Sequence, residues 1–276
     1  MGRFLLLIFL FPVLGTGLNA QELYVSTEPA SNMPRNSVGL RLTTEAMPGS
    51  DLALRTIPEV MIGITKNLMA HSSIYISDVH QKFQKIEGYG FYAKYRFLSI
   101  DSLQRHFRMA AYGRYSSINN PTYLPGLPDR PLDDINLEGD NSGLQGGIIA
   151  TQLLHKLALS ASLGYSRAFE NRGNHDLLVG QSRKGLSYSI SAGYLTYPKI
   201  YTSYDQPNFN IYLEFLGKTN GGRDKSYLEA APAFQVILNS RTRIDVSKRI
   251  QLFGNMDRMT KNMFLVRVEH NLFNVF

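Results

Sequence analysis

The sequence predicts an all-β fold: a transmembrane antiparallel β-barrel of about twelve strands behind a cleaved leader. Three observations predict it. Hydrophobicity alternates with period two in segments near the length of a tilted membrane strand, connection lengths sort by parity, and an apolar leader is too short to span a bilayer. Composition sets the bounds. The 276 residues include no cysteine and no tryptophan, are 43% hydrophobic and 18% charged, and carry a net charge of +7. Without cysteine there is no disulfide framework, thiolate metal site or thiol nucleophile. The aromatic and aliphatic content excludes a disordered polymer, and a mean hydropathy of −0.17 excludes a bundle of membrane helices.

The leader comes first. Arg3 supplies a positive start, Phe4 to Leu14 is unbroken apolar sequence, and small residues follow up to Ala20. This is the pattern of an export signal spanning residues 1–20, although Leu18 fits the small-residue cleavage rule poorly. Residues 21–36 precede the first strand and have two places open to them, the periplasm or the lumen as a plug. Residues 37–276 are expected to form the barrel.

Each strand rests on alternation. In Tyr89 to Phe97, the residues Tyr89, Phe91, Ala93, Tyr95 and Phe97 share one face, and Gly90, Tyr92, Lys94 and Arg96 share the other. Leu157 to Ser166 and Leu186 to Tyr197 repeat the pattern with serines on the second face. A helical period would set those serines inside the apolar stripe. The same test places strands near 37–46, 57–65, 68–77, 88–98, 105–117, 142–153, 157–169, 186–197, 208–216, 227–239, 243–253 and 263–276. Pro58 and Pro232 lack a ladder donor, so a strand end or bulge is expected at each.

Connections after even-numbered strands are mostly short, such as 66–67, 154–156 and 240–242; 198–207 is the exception. Those after odd-numbered strands are longer and more polar, above all 118–141. A transmembrane barrel has this asymmetry, with short periplasmic turns and long outer loops. Aromatic residues recur near strand ends, as interfacial girdles do: Tyr89, Phe97, Tyr115, Tyr197, Phe209 and Phe253 are examples. The chain ends on Phe276, after a stretch mostly apolar in twos, which resembles the terminal strand signal read by barrel-assembly machinery.

The face opposite the apolar one collects the charges. It holds Arg41, Lys94, Arg96, Arg108, Arg114, Arg243, Arg249 and Arg267, together with Glu45, Glu59, Glu214, Glu229, Asp245 and Glu269. Closure makes the first and last strands neighbours, so Arg41 and Glu45 are expected to face Arg267 and Glu269. Lys94, Arg96, Arg108 and Arg114 form a basic stripe on adjacent strands. Two readings stay open. The stripe draws anionic solutes into a narrow channel, or the charges pair across the lumen and plug it. Lys248 falls on the lipid face, where a bulge or register shift would explain it.

A search for other chemistry yields little. None of His71, His80, His106, His155, His175 and His270 stands in a motif with a nucleophilic serine, so no catalytic residue is assigned. Asp129, Asp133, Asp134, Glu138 and Asp140 fall in the loop 118–141 without the spacing of a Ca²⁺ loop. A solvated loop is the preferred reading there, and a constriction folded into the barrel mouth is the other. The nine methionines are too scattered to argue a metal site.

Gln21 to Pro34 (QELYVSTEPASNMP), Ser37 to Leu42, Tyr92 to Leu98 (YAKYRFL), Arg105 to Ala111 (RHFRMAA) and Ile149 to Leu159 (IATQLLHKLAL) resemble a family of Gram-negative outer-membrane β-barrel proteins of uncharacterised function. The resemblance spans nearly the whole mature chain and implies an outer-membrane location, often beside heavy-metal or copper efflux systems. It supplies no site residues. The expected role is a narrow channel or transporter for a small solute, anionic or metal-related. A non-conducting structural or surface-interaction barrel is the alternative, and a membrane-embedded lipid hydrolase a distant third. The expected partners are outer-membrane lipid, assembly machinery and that solute, with no cofactor and no nucleic acid.

Overall fold

Where small or polar residues alternate with aliphatic and aromatic ones, only a strand puts the two kinds on separate faces. The computed structural model describes residues 24–276, apart from 50, 104, 201, 202, 204, 222 and 223. The leader 1–20 lies outside the described residues. The strands are β1 (Ser37–Met47), β2 (Ala53–Gly63), β3 (Leu68–Ser77), β4 (Lys85–Ser102), β5 (Arg105–Ile118), β6 (Tyr123–Leu124), β7 (Leu127–Pro131), β8 (Gly143–Leu154), β9 (Leu157–Ala168), β10 (Lys184–Tyr197), β11 (Asn208–Asn220), β12 (Ser226–Leu238), β13 (Thr242–Gly254) and β14 (Asn262–Leu272). β6 and β7 pair only with each other, inside the long loop between β5 and β8. The other twelve form a closed antiparallel barrel in chain order. β1 and β14 complete it, from Val38↔Leu272 to Ala46↔Phe264.

Closure removes sheet edges, so lipid meets side chains and no unpaired strand backbone. The outward face carries Leu40, Val60, Ile74, Phe91, Ile148, Leu163, Ile190, Ile211, Val246 and Val266, all exposed. Tyr89 and Phe91 meet edge to face at 5.8 Å near the outer rim. Tyr197, Phe209 and Phe234 contact in series near the periplasmic rim. The inward face carries buried Thr43, Ser73, Thr151, Ser160, Ser189, Ser191, Gln235 and Ser247.

Several strands are longer than their alternation showed. β2 starts at Ala53 and runs through Pro58, which stands opposite Leu42 of β1. The missing donor falls toward β3, where the ladder skips from Thr56↔Ile76 to Glu59↔Ser73. Pro232 sits in a similar gap, between Ala230↔Ile250 and Ala233↔Ser247, and its carbonyl accepts from Ser247 Oγ at 3.1 Å. Lys248 keeps its outward place without a register shift; its ammonium lies 5.0 Å from the Phe264 ring centroid, and the bulge of β13 comes later, at Leu252. β14 ends at Leu272 and not at 276. Asn274 turns into the left-handed region, with φ +56°, and breaks the alternation before Phe276.

Ile190 is the test position for the lipid belt, at 66% exposed and near the middle of β10. Ile190→Arg is expected to destabilise the folded barrel by about 2–4 kcal/mol, as for cations at the bilayer midplane. Urea unfolding in lipid vesicles measures this. A cost no greater than that of a conservative Ile190→Val change would place this face away from lipid.

Candidate functional site

A twelve-strand cylinder is wider than one filled by its own side chains. Two segments enter the lumen from opposite ends and narrow it. The described part of the first region, residues 24–36, enters at the periplasmic end. Gly63 gives it passage: a Cβ there would stand 2.0 Å from the Pro34 carbonyl oxygen. Glu214 of β11, fully buried, accepts from the amides of Val25 at 3.0 Å and Ser26 at 2.7 Å and from Thr27 Oγ1 at 2.7 Å. Arg267 donates to the Val25 carbonyl at 2.7 Å. The Ala30 amide donates to Thr151 Oγ1 at 2.9 Å. Lys94 Nζ donates to the carbonyls of Pro29 and Ser31 at 2.6 and 2.8 Å. Tyr24 and Val25 pack with Leu153, Ala158, Tyr212 and Leu265. This irregular segment has no sheet partner for its polar backbone, and charged side chains of the wall satisfy much of it.

The loop between β5 and β8 narrows the outer end. Asp134 pairs with Lys218 at 2.8 Å and accepts from the Tyr227 hydroxyl at 3.2 Å. Glu138 pairs with Arg114, and Asp140 pairs with Arg55 at 2.6 Å. Gly139 has φ +115°, and a Cβ there would stand 2.5 Å from Arg55 Nε, so both conformation and space call for glycine. Ile135 and Leu137 pack against Ala168. The carboxylate-rich loop is therefore docked rather than solvated, because its acids meet cations held on the wall.

Between the closures lies a cavity of about 230 Å³. Hydroxyls of Ser162, Ser187 and Ser189 line one part, and Arg41, Glu45, Glu59, His71, Arg249 and Arg267 another. Arg41 reaches Glu269 at 2.8 Å, Glu28 at 3.0 Å and Glu59 at 3.1 Å. Arg243 pairs with Glu269 at 2.8 Å and Asp245 at 3.1 Å. Glu229 binds Arg249 and Arg258, each at 2.6 Å. Arg41 does face Glu269 across the β1–β14 seam, while Glu45 stands opposite Leu265 and not Arg267. Glu45 is 8% exposed and makes no hydrogen bond or ion pair with any described residue, though it lines the cavity.

The basic stripe is not a free positive surface. Lys94 holds the inserted segment. Arg108 donates to Ser31 Oγ at 2.8 Å, and Arg96 donates to the Lys66 carbonyl at 2.8 Å. Arg114 holds Glu138 and lies 5.5 Å from the Tyr92 ring centroid. Alternation missed Arg55, Glu87 and Lys218 because they lie beyond the strand ends it had assigned. Extending the same parity outward would have found Arg55 and Lys218; Glu87 turns inward only because a bulge at the start of β4 reverses the parity there.

Neither a family model nor a curated protein sequence matches the chain. Solved structures do match. An outer membrane channel from Pseudomonas putida F1 is similar over 90% of this chain and 100% of its own, with a TM-score of 0.61 at 8% identity. The NanC porin is similar over 84% of this chain and 100% of its own, with a TM-score of 0.51 at 14% identity. At these identities the likeness is one of fold: this chain has the barrel architecture of outer-membrane channels.

The docked loop has a pH dependence of known sign. Burial would raise the Glu138 carboxyl, but the Arg114 guanidinium outweighs it and holds the group below its ordinary value. At Asp134 burial is likewise outweighed, by Lys218 and then Arg258. Groups depressed on folding stabilise the docked loop fully above their unfolded pKa, about 4, and that support is lost as pH falls through the folded values. Hydrogen exchange at 133–140, corrected for intrinsic rate, should be flat from neutral pH to about 5 and rise below about 4. Glu138→Gln should raise it already at neutral pH. Loosening on going alkaline instead would contradict the ion-pair account.

Proposed function

We propose that the protein is a narrow outer-membrane channel or transporter for a small solute, constricted from both ends in this conformation. In this reading residues 1–20 are the cleaved export signal, 24–36 a plug, and the end of the chain at Phe276 the signal read by assembly machinery. The cavity between the two closures carries the proposal, because Glu45 faces it with a carboxyl group that makes no hydrogen bond or ion pair with a described residue. A solid structural barrel has no need of an unpaired buried acid. With the basic stripe engaged, Glu45 favours a cationic or neutral polar solute over an anion. A non-conducting barrel is the second reading, and the double closure favours it.

Planar bilayers separate the two. Wild type should show small conductance steps, and Glu214→Ala combined with Lys94→Met, which removes two holds on the plug, should enlarge them. A salt gradient should reveal cation preference that Glu45→Gln weakens. Absence of any step from heat-modifiable, folded barrels of both proteins would remove the channel reading.

A further inference from the structure

One part of the lumen has a different chemistry. Met33 of the inserted segment, Met61 of β2 and Met69 of β3 meet in a single buried cluster near the periplasmic end. They are 9%, 1% and 3% exposed. A Cβ on Gly39 would lie 2.5 Å from the Met61 methyl and 3.0 Å from the Met33 methyl, so both reach the same patch of β1. His71 stands directly opposite Met61 in the β2–β3 ladder, and two residues from Met69 on the same inward face. Its Nδ1 lies 2.9 Å from Glu59 Oε1. Its Nε2 is buried and has no hydrogen-bond partner.

We propose that Met33, Met61, Met69 and His71 form a site for a soft monovalent cation, Cu(I) or Ag(I). Thioethers are weak ligands for hard cations and select soft ones. Glu59, held as a carboxylate by Arg41 at 3.1 Å, keeps the proton on Nδ1 and leaves the lone pair on Nε2. A carboxylate on the far nitrogen is the arrangement that orients a metal-binding imidazole. The methionine side chains have the rotational freedom to turn sulfur toward an ion without backbone movement. An apolar seal would account for three methionines but not for a buried imidazole nitrogen left open beside them. No group of three or more His, Asp or Glu among the described residues is arranged to hold a metal, so this site rests on sulfur. Because Met33 belongs to the inserted segment and the other three to the wall, a bound ion would staple that segment to the barrel. The site stands whether or not the barrel conducts.

The test is titration of the folded, detergent-solubilised protein with Ag(I), and with Cu(I) under reducing conditions against a chromogenic chelator. One ion per chain should bind, Zn(II) should not compete, and exchange protection of residues 24–36 should rise on binding. Met61→Leu with Met69→Leu preserves apolar volume and hence any seal. It should weaken binding at least about tenfold, as should His71→Gln. Met259→Leu, in the outer loops, serves as the control and should leave binding unchanged. Heat-modifiable migration verifies folding of each variant. No Ag(I) or Cu(I) binding by wild type, or affinity unchanged in the Met61/Met69 double variant, would overturn the site.

Discussion

The structure depends on one constraint: inside lipid, every backbone N–H and C=O must find its partner within the protein. The β1–β14 ladder meets it, joining residues 38–46 to 264–272 so that the sheet has no edge. The alternation follows from closure, because each strand then has one face in lipid and one in the lumen. So does the middling hydropathy: an apolar half and a polar half average out along every strand. The prolines obey the same constraint. Pro58 and Pro232 sit where one ladder is already interrupted, so neither leaves a regular pair half-made.

Closure also creates a difficulty. It encloses a lumen too wide for twelve strands' side chains to fill, and the inward charges are desolvated by whatever fills it. Buried ions are tolerated when each is paired and hydrogen-bonded. The wall charges accordingly serve as joints. Arg41 ties three carboxylates together, one of them, Glu28, on the inserted segment. Glu214 and Lys94 hold backbone rather than opposite charge. The charge pattern that suggested either a channel or a plug thus describes both, since the same side chains bind the closures and surround the cavity between them.

Strand number, strand parity and the inward set were legible in the sequence because a period of two leaves a trace in every strand. Strand length was less legible. Near the rims the outward face turns polar, as at Lys184 and Ser226, and alternation loses contrast there; Arg55 and Lys218 disappeared for that reason, and Glu87 because a bulge in β4 reverses the parity before it. The destination of residues 24–36 left no local trace at all. An irregular segment without a sheet partner has no periodicity, and its hydrogen bonds reach residues more than a hundred positions away, such as Thr151 and Glu214. The docking of the outer loop was hidden similarly, because a run of acids reads as solvated until its cations are located. The methionines show the same limit: scattered along the chain, three of them converge only once β2, β3 and the inserted segment are in place.

The two closures are built from different chemistry, and this decides how each can open. The outer loop is held chiefly by carboxylate–cation pairs, at Asp134, Glu138 and Asp140. Such pairs respond to proton activity, and the more exposed among them to salt. It is tethered at both ends, to β5 and β8, so it can swing without leaving. The inserted segment is held largely through its own amides and carbonyls, bonded to Glu214, Lys94 and Arg267 of the wall, and by packing of Tyr24 and Val25. Acid therefore acts on the outer closure by protonating its carboxylates. Displacing the inner one requires competition for Glu214, Lys94 and Arg267 themselves, and of these Arg267 lines the cavity. The two ends of the lumen therefore depend on different conditions: the outer loop on its carboxylates staying charged, the inner segment on wall groups meeting its backbone.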